Sequence, residues 1–139
     1  MSLDTVLRVG TKLILPFVAL FAIYVQFHGD FGPGGGFQAG VLLAGCVFLI
    51  SIVFGLDTAK RVAPPAVVTA MVPLGALIYA GTGVVSLLLG ANYLDYSPFA
   101  HEPVHGHHLG IMSVELGVLI TVAGTMMALF YAFVERDRQ

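Results

Sequence analysis

A single carboxylate, that of Glu115, stands inside the last long apolar run of the chain. This run extends from about Leu109 to Val134 and is charged only at Glu115. If the run crosses a membrane, the charge costs roughly 2.5–3.5 kcal/mol on insertion scales, and an apolar medium favours the protonated carboxyl. Glu115 could therefore load and release a proton or a cation. The alternative is a carboxyl group that is neutral or is hydrogen-bonded to a neighbouring helix.

Two histidines stand at the start of the same run and could extend its chemistry. His107, Ile111 and Glu115 follow one another at four-residue steps. That spacing places them broadly on one face if the helix already includes the histidines. Because imidazole titrates near pH 6.5, a proton could pass between the outside and the acid. The candidate ion or proton path is therefore Glu115, His108 and His107, and the alternative for the histidines is a cap at the lipid–water interface.

The segment "HEPVHGHH", from His101 to His108, also offers imidazole and carboxylate ligands of the kind that zinc accepts. Its spacing matches no standard metal site, and Pro103 breaks the helical geometry that ligands at i and i+4 need. The lone Cys46 lies in an apolar run, and no nucleophile–base pair stands out. We expect no metal, no cofactor and no enzyme active site.

The amino-acid composition indicates whether the protein surrounding these residues faces water or lipid. The chain has 139 residues, of which 58% are hydrophobic and 10% are charged. Soluble domains average about 25% charged residues, so this chain lacks the polar shell that a water-facing core requires. Membrane lipid is the expected surroundings. No block of basic residues indicates nucleic acid.

Four continuous apolar runs are each long enough to cross a bilayer, which takes about 20 residues. They lack the period-two alternation of a membrane barrel, and an isolated run in lipid satisfies its own backbone as a helix. We therefore predict an all-α membrane protein, one domain over residues 1–139 with four transmembrane helices. The expected spans are approximately residues 11–27, 37–56, 66–90 and 109–134.

The basic residues predict the orientation of these spans. The chain contains six lysines and arginines, and with four spans all six fall on one side of the membrane. The positive-inside rule assigns that side to the cytoplasm, so we expect both termini there. The opposite side then receives two connections, 28–36 and 92–108, which together hold all five histidines.

The first external connection, "HGDFGPGGGFQAG", contains three consecutive glycines and leads into the second span. A phosphate-binding loop is disfavoured because no strand precedes it and it faces outward. A flexible turn and a close-packing site remain. Gly36, Gly40 and Ala44 repeat at four-residue spacing, which allows a neighbouring helix to approach the backbone. The candidate packing or interface residues are Pro33, Gly34, Gly35, Gly36, Phe37, Gly40 and Ala44.

Two segments carry a resemblance to a known family. "PGGGFQAG" (33–40) and "HHLGIMSVELGV" (107–118) resemble motifs of the B-type, MnhB-like subunit of Mrp, Mnh or Pha-type multisubunit cation/proton antiporters. The resemblance implies a small, non-catalytic subunit of a bacterial or archaeal plasma-membrane assembly that exchanges Na⁺ for H⁺. It also implies partner subunits, among them large ones that resemble the antiporter subunits of complex I. The histidine-rich loop departs from the family pattern.

Two alternative functions are compatible with the sequence. Related subunits occur in membrane-bound hydrogenases, so the chain could serve a complex-I-like respiratory complex instead. It offers no ligands for an iron–sulfur cluster and would carry no electrons itself. The other alternative is a stand-alone metal-ion transporter that uses the external histidines.

Overall fold

The structure is a computed structural model that describes residues 2–29, 34–99 and 101–139. Within these ranges it contains helices and a short 3₁₀ turn at Ser97–Phe99, but no strand. The helices, numbered in chain order, are α1 (Leu3–His28), α2 (Gly36–Phe54), α3 (Leu56–Val62), α4 (Pro65–Leu88) and α5 (Pro103–Arg136).

Four of these helices, α1, α2, α4 and α5, are long and apolar enough to cross a membrane. Many of their large apolar side chains face outward, such as Phe17 and Leu77, which are 72% and 68% exposed. Exposure of so much apolar surface to water is unfavourable, whereas contact with lipid or with the helices of a partner is favourable. The predicted all-α, four-helix membrane fold is confirmed. The positions of the bilayer boundaries and the cytoplasmic location of the termini stay predictions.

The longest helix, α5, organises the bundle. It packs extensively against both α2 and α4, while α1 packs mainly on α2 and touches α5 over a smaller area. The buried core between α2 and α5 includes Ala44, Val47, Ala123 and Met127. Three other membrane-length helices therefore pack against α5.

Glycine lets α4 and α5 meet at their backbones. A Cβ atom added to Gly75 would overlap Thr121, and one added to Gly117 would lie 2.8 Å from the carbonyl oxygen of Gly75. The Thr121 hydroxyl donates a hydrogen bond to the Val72 carbonyl oxygen at 3.1 Å. Small residues and a polar cross-link are the usual means of holding helices together in lipid, where burial of apolar surface gives little drive.

The segments that carry the basic residues come together at one end of the molecule. The Arg8 guanidinium lies 5.7 Å and the Lys12 ammonium 5.8 Å from the ring centroid of Phe54, at the end of α2. Lys60 of α3 forms an ion pair with Glu135, near the end of α5. The start of α1, the α2–α3 junction and the end of α5 therefore share this end, as a four-span topology requires.

The short helix α3 was not anticipated from the sequence. Gly55, with φ of +96°, separates it from α2 in a conformation that favours glycine. At its C-terminal end the Tyr131 hydroxyl lies 3.2 Å from the Ala59 and 2.9 Å from the Ala63 carbonyl oxygen, and its single proton is shared between them. Leu56 and Ala59 are buried, so contacts with other helices, more than its own two turns, hold α3 in place.

Candidate functional site

The carboxyl group of Glu115 lies on α5, which begins at Pro103 and is longer than the sequence suggested. Twelve residues separate these two positions, or roughly 18 Å of helix at 1.5 Å per residue. The residue is partly buried in a helix that contacts α2, α4 and α1. Glu115 therefore projects from the central helix of the bundle.

Glycines adjoin the Glu115 carboxyl group where other residues would have side chains. A Cβ atom added to Gly29 would lie 2.8 Å from Oε1 of Glu115, and one added to Gly35 would lie 3.0 Å from the same oxygen. Gly35 has φ of +114°, a conformation that residues with a side chain rarely adopt. The glycines thus leave room for the acid and bring backbone close to it.

The start of α2 lies directly on the backbone of α5 at the same place. A Cβ atom on Gly36 would overlap the carbonyl oxygen of Glu115, so no larger residue fits there without a shift. One turn further, a Cβ atom on Gly40 would lie 2.9 Å from the Leu119 carbonyl oxygen. We call Glu115 with Gly29, Gly35 and Gly36 the glycine-lined site.

The other candidate packing residues have different surroundings. Ala44 is fully buried in the core that α2 shares with α5, whereas Phe37 is 64% exposed and faces away from the bundle. A Cβ atom on Gly34 would lie 2.8 Å from the Val25 carbonyl oxygen, so Gly34 contacts α1. Pro33 lies outside the residues that the structure describes.

The glycine segment is also attached to the last turn of α1. The Gly35 amide donates a hydrogen bond to the Val25 carbonyl oxygen at 3.1 Å. The next residue, Gln26, is only 4% exposed. Across the described ranges 2–29, 34–99 and 101–139, neither polar atom of its carboxamide has a hydrogen-bond partner. Nothing in the sequence pattern singled out Gln26, although a glutamine in an apolar run is itself a signal.

The two candidate histidines, His107 and His108, are exposed near the start of α5. The His107 ring meets the Tyr96 ring edge-on, with centroids 6.2 Å apart, and its Nε2 lies 3.5 Å from the Ser97 hydroxyl oxygen. Eight residues, or about 12 Å of helix, separate His107 from Glu115. His107 therefore contacts the connection between α4 and α5, so any path from it to the acid requires an intermediate carrier.

The connection between α4 and α5 is held by its own polar and aromatic contacts. Asp95 Oδ1 accepts hydrogen bonds from the hydroxyl (2.7 Å) and the amide (3.1 Å) of Ser97, and these bonds lower the pKa of Asp95. The Tyr96 ring lies against Gly110, and the Tyr93 ring lies against Gly83. The two tyrosines thus attach the loop to α5 and α4.

In the histidine-rich loop His105 Nε2 lies 3.9 Å from Glu102 Oε2, and both side chains are exposed. Within the part of the chain that the structure describes, no three His, Cys, Asp or Glu residues are grouped closely enough to hold a metal ion.

Comparison with known proteins identifies the family. Residues 6–128, which include the whole glycine-lined site, match a family model described as a domain related to the MnhB subunit of Na⁺/H⁺ antiporter. The chain belongs to the MnhB family. The resemblance inferred from the two sequence motifs is confirmed.

Relatives of this MnhB-family chain match it along nearly its whole length. The putative antiporter subunit mnhB2 of Staphylococcus haemolyticus is 33% identical over 132 residues, which cover 93% of each chain. The B-type subunit of the Na⁺/H⁺ antiporter of Alkalihalophilus pseudofirmus is 30% identical over 139 residues, or 98% of this chain and 96% of that one. A putative antiporter subunit mnhB2 of Staphylococcus aureus (strain MRSA252) is 31% identical and covers 89% of each chain.

Proposed function

We propose that this chain is the B-type subunit of a multisubunit Na⁺/H⁺ antiporter in a bacterial plasma membrane. The full-length similarity to proteins named as antiporter subunits carries the proposal. The chain is a component of a transporter and not an enzyme. Ion exchange belongs to the whole assembly, in which large complex-I-like subunits are the expected partners.

The exposed apolar surface supports an assembled state. The residues Phe17, Phe21 and Tyr24 line one face of α1, and all three are more than half exposed. Lipid alone can cover such a face, but aromatic side chains are also frequent in the buried centres of protein interfaces. In the proposed complex, part of this surface contacts other subunits and the rest contacts lipid.

Within this function, we propose that Glu115 takes part in the proton or cation path. A carboxyl group among apolar helices is expensive to insert and is usually kept for a function. Backbone groups of Gly29 and Gly35 adjoin it in the glycine-lined site. The proton affinity of the acid can then respond to changes in hydration and in nearby charge, as ion exchange requires. His108 and His107 are the proposed external part of this path.

Co-purification tests the subunit assignment. The tagged chain, extracted gently from its native membrane, is expected to bring other integral membrane subunits with it, including a large one. Expressed alone in a host without the other subunits, it is expected to give no Na⁺-dependent proton movement. Recovery of a solitary chain that transports Na⁺ by itself would refute the assignment.

Substitution of the single acidic residue Glu115 tests its role in ion transport. In inverted membrane vesicles that contain the whole complex, Glu115→Gln is expected to remove most of the Na⁺-dependent proton movement while the complex still assembles. Glu102→Gln, on the exposed loop, is the matched control and should leave exchange unchanged. Normal exchange by Glu115→Gln over a range of pH would exclude Glu115 from the path.

A further inference from the structure

The carboxamide of Gln26 is a buried polar group whose hydrogen-bonding capacity is unused in the described residues. The side chain is 4% exposed, and both its nitrogen and its oxygen lack a partner there. An amide buried without hydrogen bonds is costly, and more so in a bundle surrounded by lipid, where water is scarce. A membrane helix that keeps such a residue uses it in some state of the protein.

Gln26 lies on the side of α1 that faces the glycine-lined site. It precedes Gly29 by three residues, so the two share one face of the helix, and Gly29 contacts the Glu115 carboxyl group. Gln26 also lines a cleft of about 210 Å³ with Met112 and Leu116 of α5. These two residues stand three before and one after Glu115, which places the amide beside the same stretch of α5.

We propose that Gln26 is a positioning residue for Glu115, an inference that rests on the proposed role of Glu115 as a group that changes protonation. The Gln26 amide nitrogen donates a hydrogen bond to the ionised carboxylate. Its oxygen accepts one from the protonated carboxyl. A carboxamide is suited to this task because it carries a donor and an acceptor, so a modest rotation serves both protonation states. Either state then leaves one of the two polar atoms unused.

The helices that pack around α5 carry titratable groups besides Glu115. Among the described residues they include His28 at the end of α1, His108 earlier on α5, and Tyr79 on α4, whose backbone lies against Gly117. The helix α2 contains no charged residue in its length. None of these groups is altered when Gln26 is replaced, so a comparison of the variant with the wild type isolates the effect of the amide.

The test measures the pH at which Glu115 protonates, using the assembled complex in native membranes. A membrane-soluble carbodiimide modifies protonated buried carboxyl groups, and mass spectrometry of the Glu115 peptide reports the extent of modification at each pH. Gln26→Leu is expected to move the midpoint of modification upward by about one pH unit. The midpoint rises because the amide stabilises the ionised carboxylate, through a charge-assisted hydrogen bond, more than it stabilises the protonated carboxyl. Gln38→Leu, which replaces an exposed glutamine on α2, is the matched control and should leave the midpoint unchanged.

The outcomes separate this inference from the proposed function. An unchanged midpoint in assembled Gln26→Leu complex overturns the positioning role, whatever its transport rate. Normal transport by Glu115→Gln overturns the path assignment, while the modification midpoint still reports on Gln26. If the Gln26→Leu complex fails to assemble, the same modification midpoint is measured in the Gln26→Asn complex. The shorter amide is expected to shift the midpoint upward by less, and no shift in that variant also overturns the proposal.

Discussion

The carbonyl oxygen of Glu115 occupies the space where a side chain on Gly36 would begin. Residues 79 positions apart are therefore in backbone contact, and the contact joins the first turn of α2 to the middle of α5. The glycine segment and the membrane-embedded acid form one structural unit. Changes in either of them are expected to affect the other.

A methyl group added at Gly36 is expected to destabilise the bundle. Gly36→Ala forces α2 away from the Glu115 backbone, and overpacking of this kind typically costs about 1–3 kcal/mol. The measurement is the midpoint of thermal unfolding of the detergent-solubilised complex, with recovery of assembled complex as a second readout. Gly45→Ala, on the same helix with open space around it, is the matched control and should be neutral or slightly stabilising. Equal midpoints for the two variants would contradict the close contact.

Removal of the Tyr131 hydroxyl is expected to loosen α3. Tyr131→Phe removes the one hydroxyl proton that the Ala59 and Ala63 carbonyl oxygens share, at a cost of about 1 kcal/mol. Amide hydrogen exchange over residues 56–63 should become faster, while exchange within α4 stays unchanged. Tyr24→Phe, which alters an exposed ring, serves as the comparison. Unaltered exchange at 56–63 would mean that α3 does not depend on this hydroxyl group.

The turn at Asp95 is expected to depend on pH. Because hydrogen bonds from Ser97 lower the pKa of Asp95, they stabilise the turn above the ordinary pKa of an aspartate. This contribution is lost as the pH falls through the lowered pKa of the folded state. Ser97→Ala should move the loss to higher pH, observed as faster hydrogen exchange over residues 95–99 in mildly acidic buffer. Ser113→Ala, which removes a hydroxyl bonded to the Leu109 carbonyl oxygen on α5, should leave that pH dependence as it was.

The location of the termini can be tested by labelling. In a Cys46→Ala background, Gln139→Cys should react with a membrane-impermeant maleimide only after cells are opened, because the basic end is expected to face the cytoplasm. Asn92→Cys, on the opposite connection, should react in intact cells. Labelling of Gln139→Cys from outside intact cells would reverse the orientation.

The fold was predictable because its strongest signal is local. Each membrane-length helix is a continuous apolar run, and the runs are separated by glycine, proline and polar residues. The helix α3 was missed because it is two turns long and depends on Lys60 and Tyr131 contacting distant parts of the chain. A local sequence pattern does not identify contacts with residues that are distant in the chain.

The site was predictable only in its parts. The spacing of Gly36 and Gly40 indicates that some helix comes close, and the charge of Glu115 indicates that something must accommodate it. Neither pattern indicates that the helix approaching Gly36 and Gly40 is the one that carries Glu115. Gln26 escaped notice because its importance comes from burial beside α5, which depends on how α1 is placed in the bundle.

The middle helix has glycine contacts on both flanks, with Gly36 and Gly40 on one side and Gly75 with Gly117 on the other. Backbone meets backbone at these contacts, and the side chains that adjoin them, such as Thr121 and Val122, are short and β-branched. Because closely packed interiors transmit strain, a displacement of α4 by an adjoining protein is expected to shift the stretch of α5 that carries the acid.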